Sequence, residues 1–196
     1  MSNKYLAPWR SHLANTIHRN RSKPYSRYLQ LATVTPEGYP ANRTVVFRGF
    51  LANGDRLIFI TDSRSAKIQD IQAHPQAEAC WYFSQTREQF RLAGTLKLVT
   101  LEEADSDLQL ARKTTWQNLS DAARSQFTWP NPGKPQGSKA AFELPMPETD
   151  TPLDNFCLLL LTPYKIDHLE LSGEPQQRCI YILDNEQTWS TQPVNP

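Results

Sequence analysis

The sequence predicts an α+β protein, mainly β: an antiparallel barrel with helices added at its rim. Three observations lead there. Strand-forming runs follow one another between residues 28 and 100 and return between 156 and 183. Short turn signals, not helices, separate most of them. The regular strand–helix alternation that builds a parallel sheet is missing.

Taken in order, residues 5–19 read as a helix, with Leu6, Trp9, Leu13 and Ile17 recurring on one face. The polar run Arg19 to Pro24 ends it. Strands follow over Tyr28 to Val34, Ala41 to Phe50, Arg56 to Thr61, Ala77 to Phe83 and Glu88 to Thr100. Pro36-Glu37-Gly38, Asn53-Gly54-Asp55 and Ser84-Gln85-Thr86 mark turns, and Asn53-Gly54 between two apolar runs is a strong hairpin signal. A helix is expected over Glu102 to Trp116, with a second piece over Ser120 to Phe127. Six of the 15 prolines then fall between Pro130 and Pro152, so residues 129–155 read as a long loop or arm. Such loops inside a domain commonly cover a site or a partner. Strands resume over Phe156 to Thr162, Lys165 to Leu171 and Arg178 to Leu183.

With 196 residues, the chain reads as a single domain, 1–196, able to bury roughly 70% of its unfolded surface. Its formal charge of +1 gives no global attraction to nucleic acid or to an anionic membrane. Met1 to Leu6 contains no apolar signal core, and the longest greasy run, Phe156 to Leu161, is too short to span a bilayer. Cys80, Cys157 and Cys179 sit in apolar strand contexts and read as buried, reduced thiols of a cytoplasmic protein. No CxxC pair and no cluster of His12, His18, His74 and His168 suggests a metal.

The most informative stretch runs from Phe59 to Ile68. It reads as a strand end, a hydroxyl-rich turn and a short helix stopped by Pro75, with Ser63 or Ser65 as its N-cap. Arg64 and Lys67 lie in or beside the first turn, where the helix dipole disfavours cations. A bound phosphate resolves that conflict. The alternative is a solvent-screened lysine costing a few tenths of a kcal/mol.

Other chemistry is thinly represented. GxGxxG, GxxxxGK[ST] and GxSxG are all absent, and no pair of acids stands out. Cations do occur within strands. Arg43 and Arg48 bracket Val45-Val46-Phe47 at opposite parity, so serving one ligand requires a bulge between them. Gln89, Arg91 and Lys97 share the polar face of their strand, which otherwise simply meets water.

The ordered set Arg43-Thr44-Val45-Val46-Phe47-Arg48-Gly49-Phe50, Ile60-Thr61, Ser65-Ala66-Lys67, His74-Pro75, Trp81 and Gln89-Phe90-Arg91-Leu92-Ala93-Gly94 resembles pyridoxamine 5′-phosphate oxidases and their FMN-binding relatives. The similarity spans about residues 25–100, with a weaker echo at Arg178-Cys179-Ile180-Tyr181. Ala7-Pro8-Trp9-Arg10 and Tyr28 to Val34 look more like the uncharacterised FMN-binding branch than the oxidases proper.

The resemblance implies a split barrel that binds FMN at a homodimer interface and acts on a small molecule. Carried over by position, Arg43 and Lys67 hold the FMN phosphate with Ser65 as a further donor. Val45, Val46, Phe47, Arg48, Ile60 and Thr61 line the ring. Gln89 hydrogen-bonds the flavin, and Arg178 matches an arginine supplied by the partner subunit. The departures lie in the late region. Glu174 and Gln176 occupy the places of an Arg-x-His that grips the substrate's phosphate, which reverses the charge there. Leu169 replaces a flavin-contacting tryptophan, Ala66 an arginine, and Arg48 a lysine that touches cofactor and substrate.

The resemblance therefore implies an FMN-binding oxidoreductase of unidentified substrate. The alternatives are authentic pyridoxamine or pyridoxine 5′-phosphate oxidation and a non-catalytic flavin binder for electron transfer or sensing. A nucleic-acid reading, resting on Arg19, Arg21, Lys23 and Arg27 interleaved with Tyr25 and Tyr28, is opposed by the near-zero net charge.

Overall fold

The computed structural model describes residues 6–196, apart from the side chain of Asn53. The first helix, α1, spans Pro8–Arg19. Proline at its first position suits a site with no intrahelical N–H partner. Trp9 and Leu13 are fully buried on its inner face, whereas Leu6 precedes the helix and is exposed. Tyr5, the expected first residue of this helix, lies outside the described residues.

The strands are β1 (Tyr28–Val34), β2 (Pro40–Val46), β3 (Gly49–Phe50), β4 (Leu57–Asp62), β5 (Gln76–Phe83), β6 (Glu88–Val99), β7 (Phe156–Glu170), β8 (Gln177–Leu183) and β9 (Trp189–Val194). They form one sheet in the order β2-β1-β5-β6-β7-β4-β3, with β8 pairing to β7 and β9 to β8. Every described pairing is antiparallel. The remaining helices are α2 (Lys67–Ala73), α3 (Ser106–Gln117) and α4 (Asp121–Ser125).

Two local irregularities roll this sheet into a barrel. The expected strand from Ala41 to Phe50 is broken at Phe47 and Arg48. Phe47 N donates to Arg27 O at 2.8 Å, continuing the β1 side, while Arg48 N donates to Ile58 O at 2.9 Å, joining the β4 side. These consecutive amides thus stitch the two ends of the strand order together. Gly49 follows with φ +137°, a conformation side chains rarely adopt.

The second irregularity is at Pro163. Two separate strands were expected on either side of it, but β7 runs continuously from Phe156 to Glu170. Its first part pairs β4 as far as Leu161, and its second part pairs β8 from Lys165. Pro163 falls in the gap between these partners, where one edge of the strand makes no ladder bond. The β6–β7 register also shifts between Ala93 and Gly94. The backbones come so close here that a Cβ on Gly94 would lie 2.5 Å from Thr162 O. A bulge with a close backbone approach turns the corner.

The barrel interior is filled by Trp9, Leu29, Leu31, Phe59, Trp81, Phe90, Leu92, Leu159 and Leu161, among others. Along β7 the alternate residues Leu158 and Leu160 point the other way, under Leu108 of α3. That explains the unbroken apolar run from Phe156 to Leu161: helix covers one face and barrel the other. Buried positions on α3 recur at Leu108, Arg112 and Trp116. Arg112 is tolerated there because it donates to Phe156 O at 2.9 Å and Leu153 O at 2.8 Å.

Cys157 is buried, while Cys80 and Cys179 are half-buried; all three are free. Burial pushes the Cys157 thiol up to about 11. Among the described residues no helix is long and apolar enough to cross a membrane.

Candidate functional site

A cleft of about 740 Å³ opens between β2, the end of β4, the start of α2 and residues 129–137. Arg43, Thr44, Val45, Val46, Arg48, Ile60, Thr61, Ser65 and Lys67 all line it. Phe47 does not. Its side chain turns inward against Phe50 and Trp81, with ring centroids 4.9 Å from each. The break at Phe47–Arg48 resets strand parity, so Arg43 and Arg48 reach the same cleft without a regular bulge.

Arg43 is held from behind. Its Nη2 lies 3.1 Å from Asp70 Oδ2, and its Nη1 donates to Thr33 Oγ1 at 2.5 Å and to the carbonyls of Leu31 and Ala41. Thr33 in turn donates to Asp70 at 2.7 Å. Asp70, on α2, is itself buried. Lys67 donates to Ser65 Oγ at 2.7 Å and Thr61 Oγ1 at 3.0 Å, with no carboxylate in ion-pair range among the described residues. Burial, and then the positive charge of Arg43, hold its pKa below the usual lysine value. Neither Ser63 nor Ser65 caps α2, whose N-cap is Ala66. Ser65 instead faces the lysine.

Arg64 plays a different part from the one its position suggested. It grips Asp62 through both carboxylate oxygens, at 2.9 and 2.6 Å. It also donates to Phe127 O, Trp129 O and Asn131 Oδ1 at 3.0–3.2 Å. Burial disfavours the Asp62 carboxylate, but the bonds from Arg64 and Asn155 outweigh it and hold its pKa below the usual range. Asn155 Nδ2 donates to Asp62 at 2.7 Å and to Phe127 O at 2.9 Å, and Ser63 N bonds Asn155 O at 2.8 Å. Both roots of the 129–155 arm are therefore fastened at the end of β4. Trp116 and Phe127 are core residues beneath it, and Trp129 packs edge-on against Phe142.

Arg48 also lines a second cleft of about 720 Å³, shared with Arg27, Arg56 and α3. None of these three arginines has a side-chain hydrogen bond or ion pair among the described residues. The Arg48 Nε is buried without an acceptor. Its pKa is lowered by burial first and by Arg27 second. The floor is apolar, formed by Phe50, Leu51, Ile58, Leu108 and Leu119.

Gln89 and Arg178 line neither cleft. They lie in one row across the outer face of the sheet, where Gln89 pairs Leu169 and Leu169 pairs Arg178. Arg178 is tied to Asp167 by bonds of 2.9 and 2.7 Å. Glu174 and Gln176 are exposed in the connection just before β8. The fold thus sorts the expected residues into two sets on separate surfaces of one subunit.

Asp70, Thr33 and the Asp62–Arg64–Asn155 clamp were not foreseen. The spacing Lys67-x-x-Asp70 carries part of the signal, since residues three apart share a helix face. The Thr33 and Asn155 contacts are long-range and leave no local trace.

The cleft suits a phosphate-bearing cofactor. Arg43 is paired with one buried carboxylate, Lys67 has only hydroxyl partners, and those hydroxyls, of Ser65 and Thr61, complete the donor set. Comparison with known proteins agrees. The family profile described as "Pyridoxamine 5′-phosphate oxidase, FMN-binding domain" matches residues 6–100. Pyridoxine/pyridoxamine 5′-phosphate oxidase 2 of Arabidopsis thaliana is 37% identical, covering 98% of each chain. A crystal structure of a pyridoxamine 5′-phosphate oxidase-related, FMN binding protein from Nostoc punctiforme has 57% identity and a TM-score of 0.95, covering 98% of this chain and 100% of its own. PhzG of Burkholderia lata shares the fold, with a TM-score of 0.76 over both full chains at 19% identity. This chain belongs to the FMN-binding pyridoxamine 5′-phosphate oxidase family.

Proposed function

We propose that the protein is an FMN-dependent oxidoreductase of a small-molecule substrate, working as a cytoplasmic homodimer with flavin between the subunits. The observation that carries this is the Arg43–Lys67 pair, two cations lining one cleft of which only Arg43 has a carboxylate, Asp70, in ion-pair range. A phosphate supplies the missing negative charge, with Ser65 and Thr61 as hydroxyl partners. Val45, Val46, Arg48 and Ile60 form the wall beyond. Bound FMN supplies two-electron chemistry, which leaves the side chains to position and tune it.

Gln89 and Arg178 support the dimer. They line neither cleft of their own subunit, as expected of residues that serve a partner's cleft across a two-fold interface. The second cleft joins the first through Arg48 and offers unpaired arginines over an apolar floor. It is the approach we assign to substrate.

An absorbance spectrum of the purified protein tests the proposal: flavin bands are expected. A colourless protein that takes up no added FMN refutes it. Authentic oxidation of pyridoxamine 5′-phosphate is a second reading, favoured by the name of the Arabidopsis relative. Glu174 opposes it by placing a carboxylate where a phosphate-gripping cation is expected. Assay under air for the aldehyde product separates the two. Slow or no turnover is expected, and brisk turnover establishes the second reading.

A further inference from the structure

The 129–155 arm has no assigned role, yet its placement is specific. Its first half supplies Trp129 to Gly137 and Phe142 to the cleft that holds Arg43, Ser65 and Lys67. The Asp62–Arg64–Asn155 clamp fixes both roots of the arm three residues before Ser65, beside the phosphate donors. The arm is also stiff. Prolines at 130, 132 and 135 restrict the backbone, and Trp129 meets Phe142 with centroids 5.8 Å apart. Gly137 is packed closely enough that a Cβ there would lie 3.3 Å from Ala141 Cβ and 3.5 Å from Pro130 Cγ. This is a self-packed wall.

We propose that the arm selects flavin mononucleotide over flavin adenine dinucleotide by closing the phosphate end of the cleft. The inference rests on the FMN reading above. In the dinucleotide a second phosphate and an adenosine continue from the phosphate that Arg43 and Lys67 would hold. Residues 130–137 line the same cleft as Ser65 and Lys67 at the start of α2, so the arm bounds the space into which that extension would run. The esterified phosphate also carries one charge where the terminal phosphate carries nearly two. That electrostatic preference belongs to Arg43 and Lys67 and persists without the arm, whereas the steric part does not.

The test is equilibrium binding of FMN and FAD to apo-protein, read by quenching of flavin fluorescence. Two variants are compared with the wild type. One replaces residues 131–137, all exposed, with a short Gly-Ser link and so removes no core side chain. The other, Asn155→Ala, loosens the clamp without replacing a residue that lines the cleft. Wild type is expected to favour FMN by at least roughly 100-fold, and the arm replacement to narrow that ratio by about tenfold or more, through tighter FAD binding. Asn155→Ala should shift the ratio the same way by a smaller factor, and its arm should be cut faster in limited proteolysis.

Equal binding of FMN and FAD by wild type overturns the proposal. So does an unchanged ratio in an arm replacement that unfolds at the wild-type temperature. Loss of all flavin binding by that folded variant overturns it too, because the arm would then be needed for binding itself. Failure of the wild type to bind FMN refutes the underlying cofactor reading instead.

Discussion

Replacing Lys67 with methionine should separate stability from cofactor affinity. In the ligand-free protein Lys67 makes two neutral hydroxyl contacts, to Ser65 and Thr61, and is crowded by Arg43. Its removal costs about 1 kcal/mol in hydrogen bonding, offset by relief of burial and like-charge repulsion. Ligand-free stability should therefore stay within about 1 kcal/mol of wild type. The bound state loses a charge-assisted bond to phosphate worth about 1.5–3 kcal/mol, which weakens FMN by roughly 10–150-fold.

Thermal shifts report this directly. At FMN equal to about 100 times the wild-type Kd, linkage stabilises wild type by about 2.7 kcal/mol, or roughly 5–11 °C for a chain of this size. A tenfold weaker variant at the same concentration gains about 1.4 kcal/mol, near half the shift. Riboflavin, which lacks the phosphate, should bind both proteins alike. An undiminished FMN shift, or an equal loss for riboflavin, would refute the assignment of Lys67 to the phosphate.

Two further expectations concern the scaffold. Gly94→Ala places a Cβ 2.5 Å from Thr162 O and 2.9 Å from Leu161 Cδ1. It should cost more than about 2 kcal/mol in urea unfolding, and a loss below about 0.5 kcal/mol would contradict the close approach at the barrel corner. Glu88 is buried, which disfavours its charge, but bonds from His168 at 3.1 Å and Thr16 at 2.8 Å prevail and depress its pKa. Its stabilisation is complete above the unfolded value of 4.5 and is lost as pH falls through the lower folded value. Glu88→Gln should therefore flatten the acid decline of the urea midpoint between pH 6 and 3, and an unchanged slope would show that the carboxylate titrates normally.

Strand alternation, the Asn53-Gly54 turn and the apolar face of the first helix made most of the barrel legible in the sequence. Pro163 misled because proline ordinarily interrupts a ladder. Here it occupies the stretch where β7 has left β4 and not yet met β8, so the lost donor costs little. The strand β9 was missed because Trp189 to Val194 is mostly exposed, contains Pro193, and pairs only with β8. An edge strand of that kind carries almost no apolar period. At the site, Arg43 and Lys67 were marked by a charge that local structure could not justify. Arg64 showed the same mark but for another reason: its ion-pair partner is Asp62, two residues before it, and its other acceptors lie more than sixty residues along the chain. Charge out of place reveals that a partner exists, not which partner.

The seam at Phe47 and Arg48 ties enclosure of the protein's interior to the state of its binding surfaces. One of the two amides that lock the cylinder belongs to Arg48, the residue that borders both clefts. Unzipping there would pull Arg48 away from both at once. Any occupant that gains from its guanidinium therefore also bolts the cylinder shut, and amide exchange at Arg48 is a natural gauge of occupancy on either side.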